Sequence, residues 1–353
     1  MIKVFKTEEE FDALRDNWAE LLCISSTATP YQSWEYNRIT WQIWHKPEER
    51  LYIICYQRKS GKQYDAILPC YIDGDRRLHL IDYMSDFCDG IIPDRLLECY
   101  DMYFEISKFV HKSTDISSVC FKELRQNSRL MAYLYVFGAY SKIHAITGYP
   151  LVRMHKSYDD SDFVDSLVGC NSNHRCKLRK ILKDNGSFNI QLYNHPEKYP
   201  EDEIRQLADF MVSEGLRTRK YLSNDFLEYF STLYNTGLVY VVMLYENTTV
   251  CCCSFILNDK RANEYIEWVV LYRNGKFNTI LNLLLMDYMY NNDVKNLNFA
   301  RGVYAYKLNK YHPSVYTLHQ LEIFGSRREA NIFALKMLLR RMKLYALRKL
   351  HCL

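Results

Sequence analysis

A polar segment between an apolar strand and an apolar helix has the residue types that hold phosphate groups. It comprises Arg273, Asn274, Gly275, Lys276, Phe277, Asn278 and Thr279, and the apolar run ILNLLLM follows it. A helix that begins at such a turn exposes several backbone N–H groups at one point, where an anion is stabilised. Two cationic side chains add positive charge there. The segment is therefore predicted to bind a phosphate or diphosphate, unless its glycine only relaxes the turn.

A second group of candidate side chains lies in FARGVYAYKLNKYHP, residues 299–313, after the run KNLNFAR that predicts a strand. Gly302 allows a tight turn there. Four side chains would then direct their donors into a cleft beside the strand: Arg301, Tyr304, Tyr306 and Lys307. The two cations suit carboxylate or phosphate groups of a substrate. The alternative interpretation is a solvated loop with aromatic packing.

Composition excludes several classes of protein. A chain of 353 residues with 48% hydrophobic content favours two domains, and a net charge of +4 is too small for a dedicated duplex-DNA binder. The twelve cysteines contain no C-x-x-C pair with a matching partner pair, so no metal site is predicted. The N-terminus lacks signal-peptide features, and no apolar stretch is long enough to span a bilayer. The expected location is the cytoplasm, or at most the membrane surface.

The order of predicted elements indicates an α+β fold. The first half reads as a helix, hairpin strands and mixed elements up to a boundary at ITGYP, residues 146–150. The second half reads as helix, strand, two helices, three strands, helix and strand. Because both halves mix helices with hairpins, we expect a duplicated α+β unit, although no residue-level repeat is visible.

Four stretches resemble, in order and spacing, the GNAT-like acyltransferase domain of bacterial cellulose- and capsule-biosynthesis proteins, which is related to the FemAB group of tandem-GNAT aminoacyltransferases. They are NHRCKLRKILKDNG (173–186), YVVMLYENTTVCCCSFIL (240–257), NGKFNTILNLLLMDYMYNND (274–293) and KNLNFARGVYAYKLNKY (295–311). The segment TPYQSWEYN (29–37) also resembles one near the start of these proteins. The resemblance covers roughly residues 160–325.

The resemblance implies two tandem GNAT-like domains, each with a mixed central sheet flanked by helices. Residues 1–150 are expected to form a degenerate N-terminal domain, 151–326 the catalytic domain, and 327–353 a basic amphipathic helix. The resemblance also implies acetyl-CoA or another acyl-CoA as co-substrate, with its pyrophosphate at residues 273–279. There Phe277 and Asn278 replace the usual Pro-Gly of the family. Asparagine tolerates the unusual backbone geometry of such a turn.

Acyl transfer to an amine needs a proton acceptor for the amine and benefits from a proton donor for the departing thiolate. Glu264 and Glu267, in the strand NEYIEWVV, are candidate acceptors, and since they are three residues apart they face opposite sides of a strand. Glu267 is closer to the phosphate-binding segment and is the predicted base. Tyr304 or Tyr306 is the predicted proton donor. The alternative bases are His174, His312 and His319.

Two basic helices are further candidates for binding. In the related family the helix of residues 173–186 lies near the acceptor, so Arg175 and Arg179 are predicted, with Arg301 and Lys307, to bind an anionic sugar-type acceptor. A charged run is otherwise a solvated face. The C-terminal stretch 327–353 has eight lysine and arginine residues against one acid, Glu329. It is expected to dock on its own domain or to lie peripherally on an anionic membrane surface.

The predicted activity is transfer of an acyl group from coenzyme A to an amino group of a sugar or nucleotide-sugar precursor of envelope polysaccharide. Two alternatives stay open. One is a FemAB-like transferase that takes an aminoacyl group from tRNA. The other is a non-catalytic binding protein with a degenerate GNAT-like fold.

Overall fold

The computed structural model describes residues 1–58, 61 and 63–350; for residues 340, 341 and 343–350 it describes the backbone alone. The helices are α1 (Glu8–Asp12), α2 (Arg15–Cys23), α3 (Trp34–Trp44), α4 (Tyr100–Lys112), α5 (Arg129–Phe137), α6 (Phe163–Ser166), α7 (Ser172–Asp184), α8 (Glu201–Ser213), α9 (Asn224–Asn235), α10 (Gly275–Asn291), α11 (Ala305–Tyr311) and α12 (Arg327–Leu350). The last three residues of the predicted C-terminal helix lie outside the described residues.

The strands alternate with these helices along both halves of the chain. They are β1 (Ile2–Phe5), β2 (Arg50–Leu51), β3 (Ile53–Tyr56), β4 (Ala66–Leu68), β5 (Cys70–Ile72), β6 (Arg77–Leu80), β7 (Ser118–Arg125), β8 (Ser141–Arg153), β9 (Phe188–Tyr193), β10 (Val239–Glu246), β11 (Thr249–Asp259), β12 (Glu264–Tyr272), β13 (Asn296–Asn298) and β14 (Ser314–Ile323). The mixture confirms the predicted α+β class. None of the described helices is long and apolar enough to cross a membrane.

The chain forms two compact units, and each is assembled from separate segments. The first unit contains residues 1–28, 46–146 and 319 onward, and the second contains 29–45 and 147–318. The predicted boundary near 150 is close to the break at 146. The predicted ranges differ from the units in two segments, because residues 29–45 belong to the second unit and the end of β14 with α12 belongs to the first.

Each unit has a mixed sheet that contains a parallel pair. In the second unit the order is β8-β13-β12-β11-β10-β9, with β12 and β13 parallel and α10 between them in sequence. In the first unit β2-β5-β6-β7-β14 form the corresponding sheet, with β6 and β7 parallel and α4 between them, and β1-β3-β4 form a small antiparallel sheet. The order β6-α4-β7-α5-β8 recurs as β12-α10-β13-α11-β14, which is the tandem arrangement expected of a duplicated unit.

Helices cover both faces of the sheet in the second unit. Successive strand residues point to opposite faces. Phe255 of β11 packs against Phe230 of α9, with ring centroids 4.1 Å apart. Its neighbour Ile256 instead belongs to the buried core that α10 shares with β10 and β11. The core therefore follows directly from the apolar β-branched and aromatic composition of these strands.

Residues 305–311 differ from the sequence-based expectation of a turn or loop after the strand KNLNFAR. They form the short helix α11. Lys307 and Tyr311 are spaced by four residues and are both buried, so the helix presents them on one face. Because lysine is seldom buried, this spacing did not indicate an amphipathic helix in the sequence.

Candidate functional site

In the second unit β12 and β13 separate after a short stretch of pairing. Residues 264–266 of β12 pair with 296–298 of β13. β12 then continues to Tyr272, whereas the chain after β13 turns through Ala300 and Gly302, which both have positive φ. Glu267 is thus the first residue of β12 beyond the paired stretch. A gap between neighbouring strands of a sheet is a place where a ligand can reach strand side chains.

In the first unit the corresponding gap is filled by the chain itself. β6 and β7 pair only over residues 77–78 and 118–119. The segment that follows β6 then turns back, and the Cys88 N–H donates to the Glu123 carbonyl at 3.0 Å. Phe87 and Cys88 are 2% and 4% exposed. This packing closes the gap between β6 and β7, while the degenerate role of the first unit stays a prediction.

A β-bulge sets the direction of the side chains next to the gap in the second unit. Phe255 pairs with Val269 and Ile256 with Glu267, so Trp268 is the extra residue of β12. A bulge of this kind locally redirects the strand. The Trp268 ring lies 4.8 Å from the Phe230 ring and 5.5 Å from the Tyr31 ring. These aromatic contacts are the physical reason why residues 29–45 belong to the second unit.

The carboxyl group of Glu267 is buried and only weakly compensated. Its side chain is 3% exposed, and the Ser254 hydroxyl donates to its Oε1 at a long 3.5 Å. Burial raises its pKa from the usual 4.5 to about 7, because the charged form loses its hydration. The ammonium group of Lys307 and hydrogen bonds from Asn282 and Ser254 act in the opposite direction. Glu267 can therefore accept and release a proton near neutral pH.

Glu264, the other candidate carboxylate, has a structural contact instead. The Asn298 side-chain amide donates to Glu264 Oε1 at 2.7 Å. This hydrogen bond joins the paired ends of β12 and β13, where the two residues stand on neighbouring strands. The contact agrees with the assignment of Glu267, rather than Glu264, as the candidate base.

Lys307 was predicted to face a ligand, and the structure places its amine inside the unit. The side chain is 6% exposed, and Nζ donates to the Phe299 carbonyl at 2.6 Å. The amine also lies 5.4 Å from the centroid of the Tyr304 ring. Because its positive charge lowers the pKa of Glu267, Lys307 contributes to the electrostatics of the candidate base.

Tyr304 and Tyr306 form an exposed aromatic pair at the start of α11. Their side chains are 56% and 45% exposed, and their rings stack at 6.0 Å with an interplanar angle of 9°. Loss of hydration, followed by the negative charge of Glu267, raises the pKa of Tyr306 well above its usual value. The phenol of Tyr306 therefore stays protonated at neutral pH, although the raised pKa makes it a weaker acid than a free tyrosine.

The structure adds residues that the sequence analysis missed. Asn282 of α10 is 1% exposed, and its Oδ1 has no hydrogen-bond partner. The hydroxyl of Tyr311, also buried, lies 3.5 Å from the Thr279 carbonyl oxygen, and burial with the charge of Glu267 raises its pKa. A signal was present, because Asn282 and Ser254 are polar residues within otherwise apolar runs. A buried polar atom without a partner is costly, and a role in binding or catalysis is one explanation for it.

Some backbone N–H groups of the segment predicted to bind phosphate already have hydrogen-bond partners within the segment. The Asn274 side chain caps α10 by accepting from the Lys276 N–H at 3.0 Å, and the Asn274 carbonyl accepts from the Phe277 N–H at 3.0 Å. Arg273 Nε donates to the Val250 carbonyl at 2.8 Å. Asn278 and Thr279 are buried, whereas the space around Gly275 is open. A diphosphate at these amides would have to displace Asn274, and its binding there stays a prediction.

The predicted acceptor-binding arginines of α7 have partners within the chain. Arg179 contacts Asp162 at 2.7 Å and Asp165 at 2.8 Å, and Arg175 lies 3.5 Å from Asp165. Both guanidinium groups therefore help to join α6 to α7, and an anionic acceptor would compete with these carboxylates. Arg301 is exposed after β13.

The three alternative bases lie in different units. His174 of α7 and His312 after α11 lie together in the second unit, with ring centroids 4.3 Å apart. His319 belongs to the first unit, where burial lowers its pKa. Within the described residues, no group of three or more His, Cys, Asp or Glu side chains could hold a metal ion.

Comparison with known proteins identifies the fold. No family model and no curated protein sequence matches the chain. FemX is similar in structure, with a TM-score of 0.59 and 9% identity over 91% of this chain and 97% of FemX. The C-terminal domain of a protein assigned as a lysylphosphatidylglycerol synthetase from Agrobacterium fabrum also has a TM-score of 0.59, with 10% identity over 92% of this chain and 95% of that one.

A tandem GNAT protein of the clavulanic acid biosynthesis pathway has a TM-score of 0.50 and 9% identity over 91% of this chain and 98% of its own. All three likenesses extend over nearly the whole of both chains, although the identities are low. They confirm that the protein has the tandem GNAT-like fold.

Proposed function

We propose that the second unit is a GNAT-type acyltransferase, which moves an acyl group such as acetyl from coenzyme A to an amino group of a sugar or nucleotide-sugar precursor of envelope polysaccharide. We place this reaction in the cytoplasm, at the inner face of the membrane. One observation carries the proposal: Glu267 is a buried carboxyl group with a pKa of about 7 at the separation of β12 and β13. Strongly perturbed groups of this kind cluster at functional sites.

Glu267 is the proton acceptor in the proposed reaction. The amine nitrogen attacks the thioester carbonyl carbon, so a C–N bond forms and the C–S bond breaks. The nitrogen loses its proton to the Glu267 carboxylate, directly or through one water. A base with a pKa near the working pH combines a large ionised fraction with sufficient basicity. A well-positioned amine needs no covalent enzyme intermediate.

Tyr306 is the proposed proton donor to the departing thiolate. We expect Tyr306→Phe to lower kcat by about 10- to 100-fold, because removal of a general acid leaves the thiolate to be protonated by water. Measurement of thiol release at saturating acyl-CoA tests this. Tyr158→Phe, at a fully exposed tyrosine of the same unit, is the matched control. If the two variants have equal kcat values, Tyr306 is not the proton donor, and Tyr304 becomes the next candidate.

The function is tested directly by incubating the purified chain with acetyl-CoA and a panel of amino-sugar nucleotides. Thiol release and the mass of the acceptor report the transfer. A gain of one acetyl group per acceptor, together with stoichiometric free thiol, is the expected result. If calorimetry with acetyl-CoA shows no heat and no acceptor is modified, the non-catalytic alternative replaces the proposal.

An aminoacyl-tRNA donor is the second candidate, and the capped segment 273–279 favours it. The Asn274 side chain already accepts the hydrogen bond of the Lys276 N–H, which is one of the backbone amides that would bind the coenzyme A pyrophosphate. A chain that used tRNA would not need those amides. Transfer from acetyl-CoA that persists after ribonuclease treatment would exclude this candidate, whereas transfer that requires charged tRNA would establish it.

The helix α12 supports the proposed location at the membrane. Phe333 packs against Phe324 at 5.1 Å, so one face of the helix docks on the first unit. The opposite stripe is exposed: Ile332, Leu335, Leu338, Leu339 and Met342. Five basic residues of the same helix lie outside the described side chains: Arg340, Arg341, Lys343, Arg348 and Lys349. An exposed apolar stripe in a basic helix is suited to an anionic lipid surface.

We expect Leu335→Glu to reduce co-sedimentation with vesicles that contain phosphatidylglycerol, by about tenfold or more. The substitution removes an apolar side chain that would insert into the lipid and adds a negative charge that the anionic lipid repels. Val136→Glu makes a comparable change at an exposed position of the first unit outside α12 and serves as the control. Equal sedimentation of the wild type and both variants would reject the membrane contact.

A further inference from the structure

A cavity of the first unit takes no part in the proposed chemistry at Glu267. It lies where the end of α4, the start of β7, the end of α5 and the end of β14 meet, and we call it the α4 cavity. Its volume of about 380 Å³ is within the range of small-molecule sites. Residues 118 and 119 of β7 line the cavity and also pair with β6. The cavity is therefore at the paired end of these strands, outside the gap that the chain fills.

Most side chains that line the α4 cavity are apolar. The rings of Phe104 and Phe137 meet edge to face, with centroids 5.7 Å apart. Val110, Ile116 and Ile323 add aliphatic surface. Phe104 is 52% exposed although it lines a cavity, so an apolar ligand there removes further apolar surface from water. A hydrocarbon chain suits such a lining, because it has no polar atoms that need partners.

The helix α4 also directs three hydrogen-bond donors to this cavity. They are Ser107, Lys108 and His111. Ser107 is only 8% exposed, and within the described part of the chain its hydroxyl has no hydrogen-bond partner. Residues three and four positions apart are neighbours on a helix surface, so His111 lies next to both Lys108 and Ser107. The three donors can therefore converge on one acceptor group.

The positive charge at this wall of the cavity is not neutralised. Among the residues that the structure describes, no carboxylate forms an ion pair with Lys108 or His111. Lys108 Nζ lies 6.0 Å from the centroid of the Phe104 ring, so charge and apolar surface are adjacent. Glu329 Oε2 is near a different wall, 3.6 Å from the position that a Cβ would take at Gly325. An anionic group is therefore expected beside α4 and not beside Gly325.

The second unit provides an internal comparison, because α10 precedes β13 as α4 precedes β7. The cavity at the end of α10 has a volume of only about 130 Å³. Lys156, which lines that cavity, donates to Asp293 Oδ1 at 3.0 Å and to the Tyr290 carbonyl at 3.1 Å. The larger volume and the unpaired lysine of the α4 cavity are thus particular to the first unit, and the duplicated fold does not by itself require them.

We propose that the α4 cavity binds an acyl chain that ends in an anionic group. The chain lies against Phe104, Phe137 and Ile323, and the anion accepts hydrogen bonds from Ser107, Lys108 and His111. Charge-assisted hydrogen bonds of this kind fix the head group, while the apolar contacts hold the chain. The cavity also borders the start of α12, whose exposed apolar stripe is suited to a lipid surface. The proposal does not depend on the transferase function.

Calorimetry of the full-length chain with decanoate, below the concentration at which decanoate forms micelles, tests the proposal. We expect the wild type to bind decanoate and to bind decanol, which has the same chain without the charge, at least tenfold more weakly. No binding of decanoate, or equal affinities for decanoate and decanol, overturns the proposal. Decyl phosphate then distinguishes the sources: tighter binding of decanoate indicates a fatty acid, and tighter binding of decyl phosphate indicates a phospholipid head group.

Two variants locate the site. Lys108→Gln should weaken decanoate binding about tenfold, because a charge-assisted hydrogen bond is lost. Lys112→Gln, at an exposed lysine of the same helix outside the lining, should bind like the wild type. Ala139→Trp, in the exposed turn after α5, should obstruct the cavity and weaken binding at least tenfold, whereas Val136→Trp outside the lining should not. A folded Ala139→Trp variant with unaltered affinity rejects the α4 cavity as the site.

A further variant separates the cavity from the apolar stripe of α12. Leu335→Glu changes that stripe and leaves the residues of the cavity in place, so its affinity for decanoate should equal that of the wild type. If Leu335→Glu abolishes decanoate binding, the chain binds on α12 and the proposal fails.

Discussion

Glu267→Gln should lower kcat/KM by about 100- to 10,000-fold while leaving the fold intact, because glutamine matches the shape of the side chain but cannot accept a proton. In the wild type the same carboxylate should produce an acidic limb in the pH profile of kcat/KM. Activity should fall tenfold per unit as the pH drops below about 7, since only the ionised form is a base. This limb should be missing from the residual activity of Glu267→Gln.

The same substitution should raise stability at alkaline pH. The pKa of Glu267 is about 7 in the folded chain and close to 4.5 when the chain is unfolded. The folded state therefore binds this proton more tightly. The resulting stabilisation is fully present below about pH 4.5 and is lost as the pH rises through 7, a change of about 3 kcal/mol.

Urea unfolding at pH 5.5 and pH 8 measures this effect. Glu267→Gln should resemble the wild type more closely at pH 5.5 and should have the larger free energy of unfolding at pH 8, by about 2–3 kcal/mol. Asp259→Asn, also buried on the strands of the second unit, is the control for loss of a carboxylate. A Glu267→Gln variant that is less stable at both pH values would indicate a structural role instead of a catalytic one.

Lys307→Met should shift the acidic limb of the pH profile to higher pH. The ammonium group of Lys307 lowers the pKa of Glu267, so its replacement by an uncharged side chain of similar length raises that pKa above 7. Each unit of increase costs about tenfold in kcat/KM at neutral pH, because the ionised fraction of the base falls by that factor.

The shift of this acidic limb distinguishes an electrostatic role of Lys307 from direct binding of the acceptor. An electrostatic role predicts that activity recovers towards the wild-type value at pH 9, where Glu267 is again ionised. Lys295→Met removes an exposed charge of the same unit and should leave the profile in place. A uniform loss of activity at every pH, with a raised KM, would mean that Lys307 binds the substrate.

Local sequence patterns predicted most of the elements around the site. The apolar and aromatic runs of β10, β11 and β12 became adjacent antiparallel strands. The helix expected within residues 173–186 is α7, which ends at Asp184 just before Asn185.

The partners of the candidate residues did not follow from the sequence. Arg175 and Arg179 gave a basic face in the sequence, but the ion pairs to Asp162 and Asp165 depend on the angle between α6 and α7. Lys307 looked like a surface cation until the short helix α11 turned it inward. Asn274 was predicted as part of the phosphate-binding segment, and in the structure its side chain caps the helix that the segment precedes.

By itself the sequence indicated most of the helices and strands of the second unit, suggested a duplicated α+β unit and placed a carboxylate on the strand before the predicted anion-binding segment, because these depend on periodicity and on neighbouring residues. The tertiary structure alone decided that β12 and β13 separate beside Glu267 and that Ser254, Asn282 and Lys307 surround its carboxyl group. The pKa of about 7 arises from that enclosure, since hydration is lost only when distant parts of the chain close around the charge.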